Sequence, residues 1–250
     1  MTSEGPDCDQ KDRVPNHIHT PPTKSAKIIT MRKLLPMLIG LAVLIPAIAV
    51  RGQTWTGAPV GWKALFNGKD LDGWSVADAQ GKPAFIVEDG AIRTQKGAGL
   101  LWYSREKIGN ATLRVVYKMA NAQGNSGIFI RIPEAPPNET FAIHHGIEVQ
   151  IDDRDDDWHV TGVLYSMTKA FSRPFKPGGE WNTMDITLTG LRTIVKVNGV
   201  LVTDYDGVSP VPQKVHDWEP ERGPRPESGY IALQHHDDEA AIYFREISLK

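Results

Sequence analysis

The chain has 250 residues, with 28 lysines and arginines against 30 aspartates and glutamates, and a formal net charge of -2. Its 40% hydrophobic and 23% charged residues are the make-up of an ordinary globular protein, without the basic excess of a nucleic-acid binder. A single cysteine, Cys8, excludes an internal disulfide and a cysteine-built zinc framework.

Residues 1–30 are polar, dotted with proline and free of hydrophobic period, and read as disordered. Met31-Arg32-Lys33 then opens a positive start, followed by an apolar stretch from Leu34 to Val50 and small residues at Ala47-Ile48-Ala49. This is the plan of a secretory signal peptide over residues 31–52. Its position predicts translation from Met31 and an exported mature chain, periplasmic or extracellular. The run is short for a membrane span and is interrupted by Pro36, Gly40 and Pro46, so no stable membrane insertion is expected after cleavage.

From residue 53 to 250 the pattern is that of one all-β domain. Strand-like runs bounded by turn signals occur at Phe85 to Glu88, Ala91 to Arg93, Leu113 to Met119, Ile186 to Leu188, Thr193 to Val197, Tyr230 to Gln234 and Ile242 to Leu249. Asn198-Gly199 between Val197 and Val200 is the strongest hairpin signal, because both residues tolerate the positive φ of a type I′ turn. No window in this region carries a convincing helical stripe, so a β-sandwich or jelly roll is predicted. Pro133 to Asn138 reads as a loop. Asp206 to Ser228, with five prolines, His216 and Trp218, reads as a long connection that either covers a site or lies idle on the surface.

Side chains alternate across a strand. In Gly146 to Asp152 the alternation places Ile147, Val149 and Ile151 on one face and Glu148, Gln150 and Asp152 on the other. In Ser126 to Ile132 it groups the three isoleucines and sets Phe129 with Arg131 opposite. In Tyr230 to His236 it leaves Tyr230, Gln234 and His236 facing away from Ile231 and Leu233. Such a face can be a merely wetted one. Its Arg, Glu, Gln, His and Tyr nevertheless suit polyhydroxyl recognition, with Trp102, Trp158, Trp181 and Trp218 as candidate platforms for sugar C–H surfaces. Asp152, Asp153, Asp155, Asp156 and Asp157 are oxygen-rich enough for Ca²⁺ but lack the Gly and Glu placement of an EF-hand loop, so a solvated acidic loop is the competing reading. The adjacent pairs His144-His145 and His235-His236 would point to opposite faces of a strand and do not predict a metal site. Asn110 and Asn138 begin glycosylation-type sequons, a pattern common by chance.

Leu65-Phe66-Asn67-Gly68-Lys69-Asp70-Leu71-Asp72-Gly73-Trp74 resembles the opening motif of the 3-keto-disaccharide hydrolase family. Asn125-Ser126-Gly127-Ile128 with Arg131, Glu148 to Asp153, Thr161 to Tyr165, Gly179 to Asn182, Leu233 to His236 and Phe244 to Ile247 continue the resemblance in order across the domain. It implies a concanavalin A-like jelly roll of two antiparallel sheets that acts on glycosides oxidised at C3. The C3 ketone acidifies the C2 proton; removal of that proton, expulsion of the C1 substituent and hydration of the glycal amount to hydrolysis. His236 or Glu148 would then be the base and Arg131 the oxyanion or substrate clamp. Gln150, Asp153, Tyr165, Trp181 and Gln234 would bind substrate, with no cofactor required. Asp153 falls on the core-facing parity, which requires a bulge or a structural role. The family often has Asp at the position of His235 and Gly at that of Asp237, so the turn after His236 departs from the family pattern. Two other functions stay open: a laminarinase-like retaining glycosidase built on Glu148 and its strand neighbours, and a carbohydrate-binding or lectin-like module.

Overall fold

The computed structural model describes residues 57–77, 84–97 and 99–250. The expected leader and the segment before it lie outside these residues. The strands in chain order are β1 (Lys63–Ala64), β2 (Trp74–Ala77), β3 (Phe85–Glu88), β4 (Ala91–Thr94), β5 (Gly99–Tyr103), β6 (Ala111–Met119) and β7 (Ser126–Ile132). A short helix α1 (Glu139–His145) precedes β8 (Ile147–Ile151), β9 (Asn182–Thr189), β10 (Arg192–Val197), β11 (Val200–Tyr205), β12 (Tyr230–His235) and β13 (Ile242–Leu249). Every strand read from the alternation is present. Among the described residues no helix is long and apolar enough to cross a membrane.

The strands form two antiparallel sheets. The larger runs β11-β10-β9-β6-β13-β4-β3 with β1 also on β13, and the smaller runs β2-β5-β12-β7-β8. Leu113, Val115, Tyr117 and Ile186 from the first meet Ile128, Ile130, Val149 and Leu233 from the second in one continuous core. Each fully buried aliphatic side chain there contributes roughly 1.5–3 kcal/mol. The fold is a concanavalin A-like jelly-roll sandwich. The predicted Asn198-Gly199 hairpin joins β10 to β11, with φ of 51° and 82°.

A second, smaller apolar cluster lies on the outer side of the small sheet. Leu100, Phe129, Ile132 and Ala232 pack there against Ala142 of α1, with Trp102 and Tyr230 alongside. The helix is only seven residues long, too short to leave a periodic stripe in the sequence. Asn138 caps it by accepting from the Phe141 N–H at 2.9 Å. The other sequon asparagine, Asn110, accepts from the Gly190 N–H. Both are turn-forming residues.

β7 departs from strict alternation. Arg131 has a φ of 58°, and the ladder between β7 and β12 skips so that Ile130 and Arg131 together oppose Ile231. This bulge reverses the phase of the strand. Ile132 joins the outer cluster with Phe129, while Arg131 turns to the opposite side. The expectation that the three isoleucines share a face, with Arg131 beside Phe129, is therefore corrected.

Candidate functional site

The outer face of the small sheet holds a cavity of about 160 Å³ lined by Asn125, Ile143, Glu148, Gln150, Tyr165, Trp218, Gln234 and His236. Five of the residues predicted to form a site meet here: Glu148, Gln150, Tyr165, Gln234 and His236. β8 supplies Glu148 and Gln150, β12 supplies Gln234, and the chain just beyond β12 supplies His236. Tyr165 is set by a segment that runs along the free edge of β8, its N–H donating to the Glu148 carbonyl at 3.0 Å. Thr161 to Tyr165 thus forms an irregular edge, with Leu164 bridged to Val149.

Glu148 is nine-tenths buried. Its side chain lies across Gly127 of the neighbouring strand, where a Cβ would fall on the carboxylate and within 2.6 Å of Cγ. Glycine at 127 is thus what lets Glu148 reach over β7 towards β12. Burial, reinforced by the charge of Glu139, pushes the Glu148 carboxyl up to about 8, so it is mostly protonated at neutral pH. Tyr165 is raised by burial and then by Glu148. Gln150 donates to Asn125 at 3.2 Å, but its carbonyl oxygen and that of Gln234 are buried without a partner among the described residues. Buried acceptors are seldom left this way, and a hydroxylated ligand would satisfy both. The His236 imidazole is half-exposed, with Nδ1 3.0 Å from Asp237.

Three contributors escaped the sequence reading. Glu139 in the first turn of α1 faces the same corner; burial raises its carboxyl, offset by a hydrogen bond from Gln234 and by the charge of His236. Ile143 lies one turn further along that helix. Asn125 holds Gln150. The cap at Asn138 was the available signal for the helix. Trp218, weighed as one platform among four, sits at the mouth, largely exposed and stacked on His216 at 4.2 Å and 6°. The long connection reaches the cavity, and arginines hold it down. Arg225 donates to the carbonyls of His144 and Gly146, tying it to the end of α1. Arg222 donates to Pro212, Pro220 and Ser166.

Three predicted site residues lie elsewhere. The Arg131 guanidinium is buried and donates to the carbonyls of Pro226, Glu227, Gly190 and Arg192 at 2.8–3.1 Å. It anchors the far end of the long connection and does not face the cavity, because the bulge points it inward. Asp153 accepts from Thr161 at 2.7 Å on the core side near Tyr117, and burial raises it to about 6. That core-side position is the one its parity implied. Trp181 lies on the outer face of the large sheet beneath Arg245 and Lys118.

The acidic run is mostly spent on ion pairs. Arg154 engages Asp152, while Arg173 and Lys169 engage Asp157. Asp155, Asp156 and His159 bring ligand atoms within 4.8 Å of one another, yet both His159 nitrogens are already bonded, to Asp156 and Ser166. A larger hollow of about 460 Å³ lies beside Arg93, Thr94, Lys96, His235 and Asp238. It contains no buried carboxyl comparable to Glu148, so the smaller cavity is the chemically equipped one.

Residues 61–250 match the model of the 3-keto-alpha-glucoside-1,2-lyase-like domain. The chain belongs to that family. Two candidate glycosyl hydrolases from Parabacteroides distasonis have similar structures. One is 25% identical, with a TM-score of 0.61 over 76% of this chain and 98% of that one. The other is 23% identical, with a TM-score of 0.62 over 76% and 93%. A search of curated proteins found no match.

Proposed function

We propose that the protein cleaves 3-keto-glycosides, 3-keto-disaccharides among them, in the cavity over Gly127. The observation that carries this reading is Glu148, a buried and mostly protonated carboxyl beside an imidazole and two unpartnered amide oxygens. The volume suits one sugar ring, with the leaving group outside near Trp218.

The C3 ketone lets a base take the C2 proton, and the electron pair moves into a C2–C3 enolate. Imidazole is the usual side-chain base near neutral pH, and His236 takes this role. Collapse of the enolate re-forms the ketone, makes the C1–C2 double bond and breaks the C1–O bond. Glu148 supplies the proton to the departing oxygen. The Tyr165 phenol, kept neutral by its surroundings, donates to the developing oxyanion in the place first expected for Arg131. Gln150 and Gln234 accept from ring hydroxyls. Water then adds across the glycal, and the protons on His236 and Glu148 exchange back.

The test compares a 3-keto-disaccharide with its unoxidised parent. Sugar release from the oxidised substrate alone, with exchange of the C2 hydrogen in deuterated water, is the expected result. Glu139 beside Glu148 also offers the two carboxylates that a retaining glycosidase needs, in place of Asp152, which Arg154 occupies. Preference for the unoxidised sugar would select that reading, and inertness with retained affinity a binding module. Export belongs to the same proposal; a mature N-terminus at Gln53 in periplasmic or culture fractions would bear it out.

A further inference from the structure

On the opposite side of the sandwich, the outer face of the large sheet carries an ordered row of cations and rings. β4, β13, β6 and β9 lie side by side there. Arg93 pairs with Tyr243, and Tyr243 with Lys118. The pairing of Tyr117 with Asn182 then brings Trp181, one residue before β9, level with Lys118. Cation and ring alternate across four strands, a length of about 15 Å. Arg93 lies 5.8 Å and Lys118 4.8 Å from the Tyr243 ring centre, and Lys118 is 5.0 Å from that of Trp181.

A bulge completes the row. The β13–β6 ladder skips from Phe244 to Glu246, which frees Arg245 to lie over Trp181 at 4.3 Å. Rings hold these cations in place without neutralising them. Among the described residues, Lys118 and Arg245 have no carboxylate partner in ion-pair reach. Arg93 meets Glu88 only at 3.5 Å, and Glu246, the acidic neighbour of Arg245, accepts from Ser248. Arg114 over Trp62 shows the contrast, since Asp185 grips it at 2.7 and 2.9 Å.

We infer that this face docks an acidic polysaccharide, whose carboxylate or sulfate groups bridge Arg93, Lys118 and Arg245 along the row. Unneutralised guanidinium and ammonium groups at strand spacing match anionic groups repeated along a chain. The occupant is taken to be a glycan rather than a nucleic acid because the whole protein has no basic excess to attract a polyphosphate. The inference is independent of the reaction proposed for the cavity.

Affinity electrophoresis of the full chain, in gels containing polygalacturonate, dextran sulfate or neutral dextran, tests it. Retardation by the two acidic polymers but not by dextran is expected, fading as salt is added. The Lys118→Glu/Arg245→Glu variant should bind about ten-fold more weakly. Arg245→Lys should retain most of the binding, and all forms should keep the same melting temperature and the same cleavage of a small 3-keto-glycoside. If the double variant does not fold, Arg245→Ala serves in its place with a smaller loss. An unretarded wild type, a variant retarded as strongly, or tighter binding of oligothymidylate than of either polymer would overturn the assignment.

Discussion

The two ends of β7 treat polar side chains in opposite ways. At Gly127 the strand gives up a side chain so that Glu148 can cross it, and the neighbouring amide oxygens are left without partners. At Arg131 a bulge drives a guanidinium into four backbone carbonyls. Under-satisfied groups around a protonated carboxyl are poised for a ligand, whereas a side chain bonded to this extent is a fastener. Residue type alone does not distinguish them, since Arg and Glu both looked catalytic in the sequence. The number of bonds already made does.

Substitutions at the two ends should have opposite consequences. The largest effect is expected from Glu148→Gln, which should lower turnover of a 3-keto-disaccharide by about 10²–10⁴-fold while the protein stays folded. Gly127→Ala should follow it closely, because the added methyl displaces the carboxylate end of a flexible side chain. The double variant should lose little beyond Glu148→Gln alone, and additive losses would separate the two residues.

Arg131→Met should instead cost about 3 kcal/mol or more of stability, by leaving buried carbonyls without donors, as read from denaturant unfolding. A loss of activity with no loss of stability would return Arg131 to the reaction.

Linkage gives a subtler test. The Glu148 carboxyl is raised in the fold, so between about pH 4.5 and 8 the folded state binds more protons than the unfolded one. Stability attributable to this group is present below that window and is lost as pH rises through it, by up to about 5 kcal/mol. Glu148→Gln should flatten the fall, as measured by melting temperature against pH. Activity should decline above about pH 8, where Glu148 loses the proton it donates. The smallest effect is expected from Trp218→Ala, which should raise KM a few-fold for substrates with a bulky leaving group without changing the melting temperature, because the ring is mostly exposed.

Much of this was legible in the sequence. Strict alternation in Ile147 to Ile151 and in Tyr230 to Gln234 assigned Glu148, Gln150 and Gln234 to one face, and the strands kept that phase. Arg131 was misplaced because a bulge inserts one residue and inverts everything after it, and no residue type announces it. Glu139 was missed because seven residues of helix are held by a cap and by packing on Ile132, not by a periodic pattern. Trp181 was placed with the sugar face because two sheets with similar aromatic content cannot be told apart without knowing which strands pair.

The position of β13 has a consequence for biogenesis. β13 follows the other described strands in sequence yet lies inside the large sheet, with β1, β4 and β6 bonded to it. β3 and β4, like β1, therefore join the large sheet only through β13, and that sheet cannot close until this strand is in place. Removal of Ile242–Leu249 should accordingly prevent folding, because it cuts β1, β3 and β4 loose from the sheet that β6, β9, β10 and β11 form.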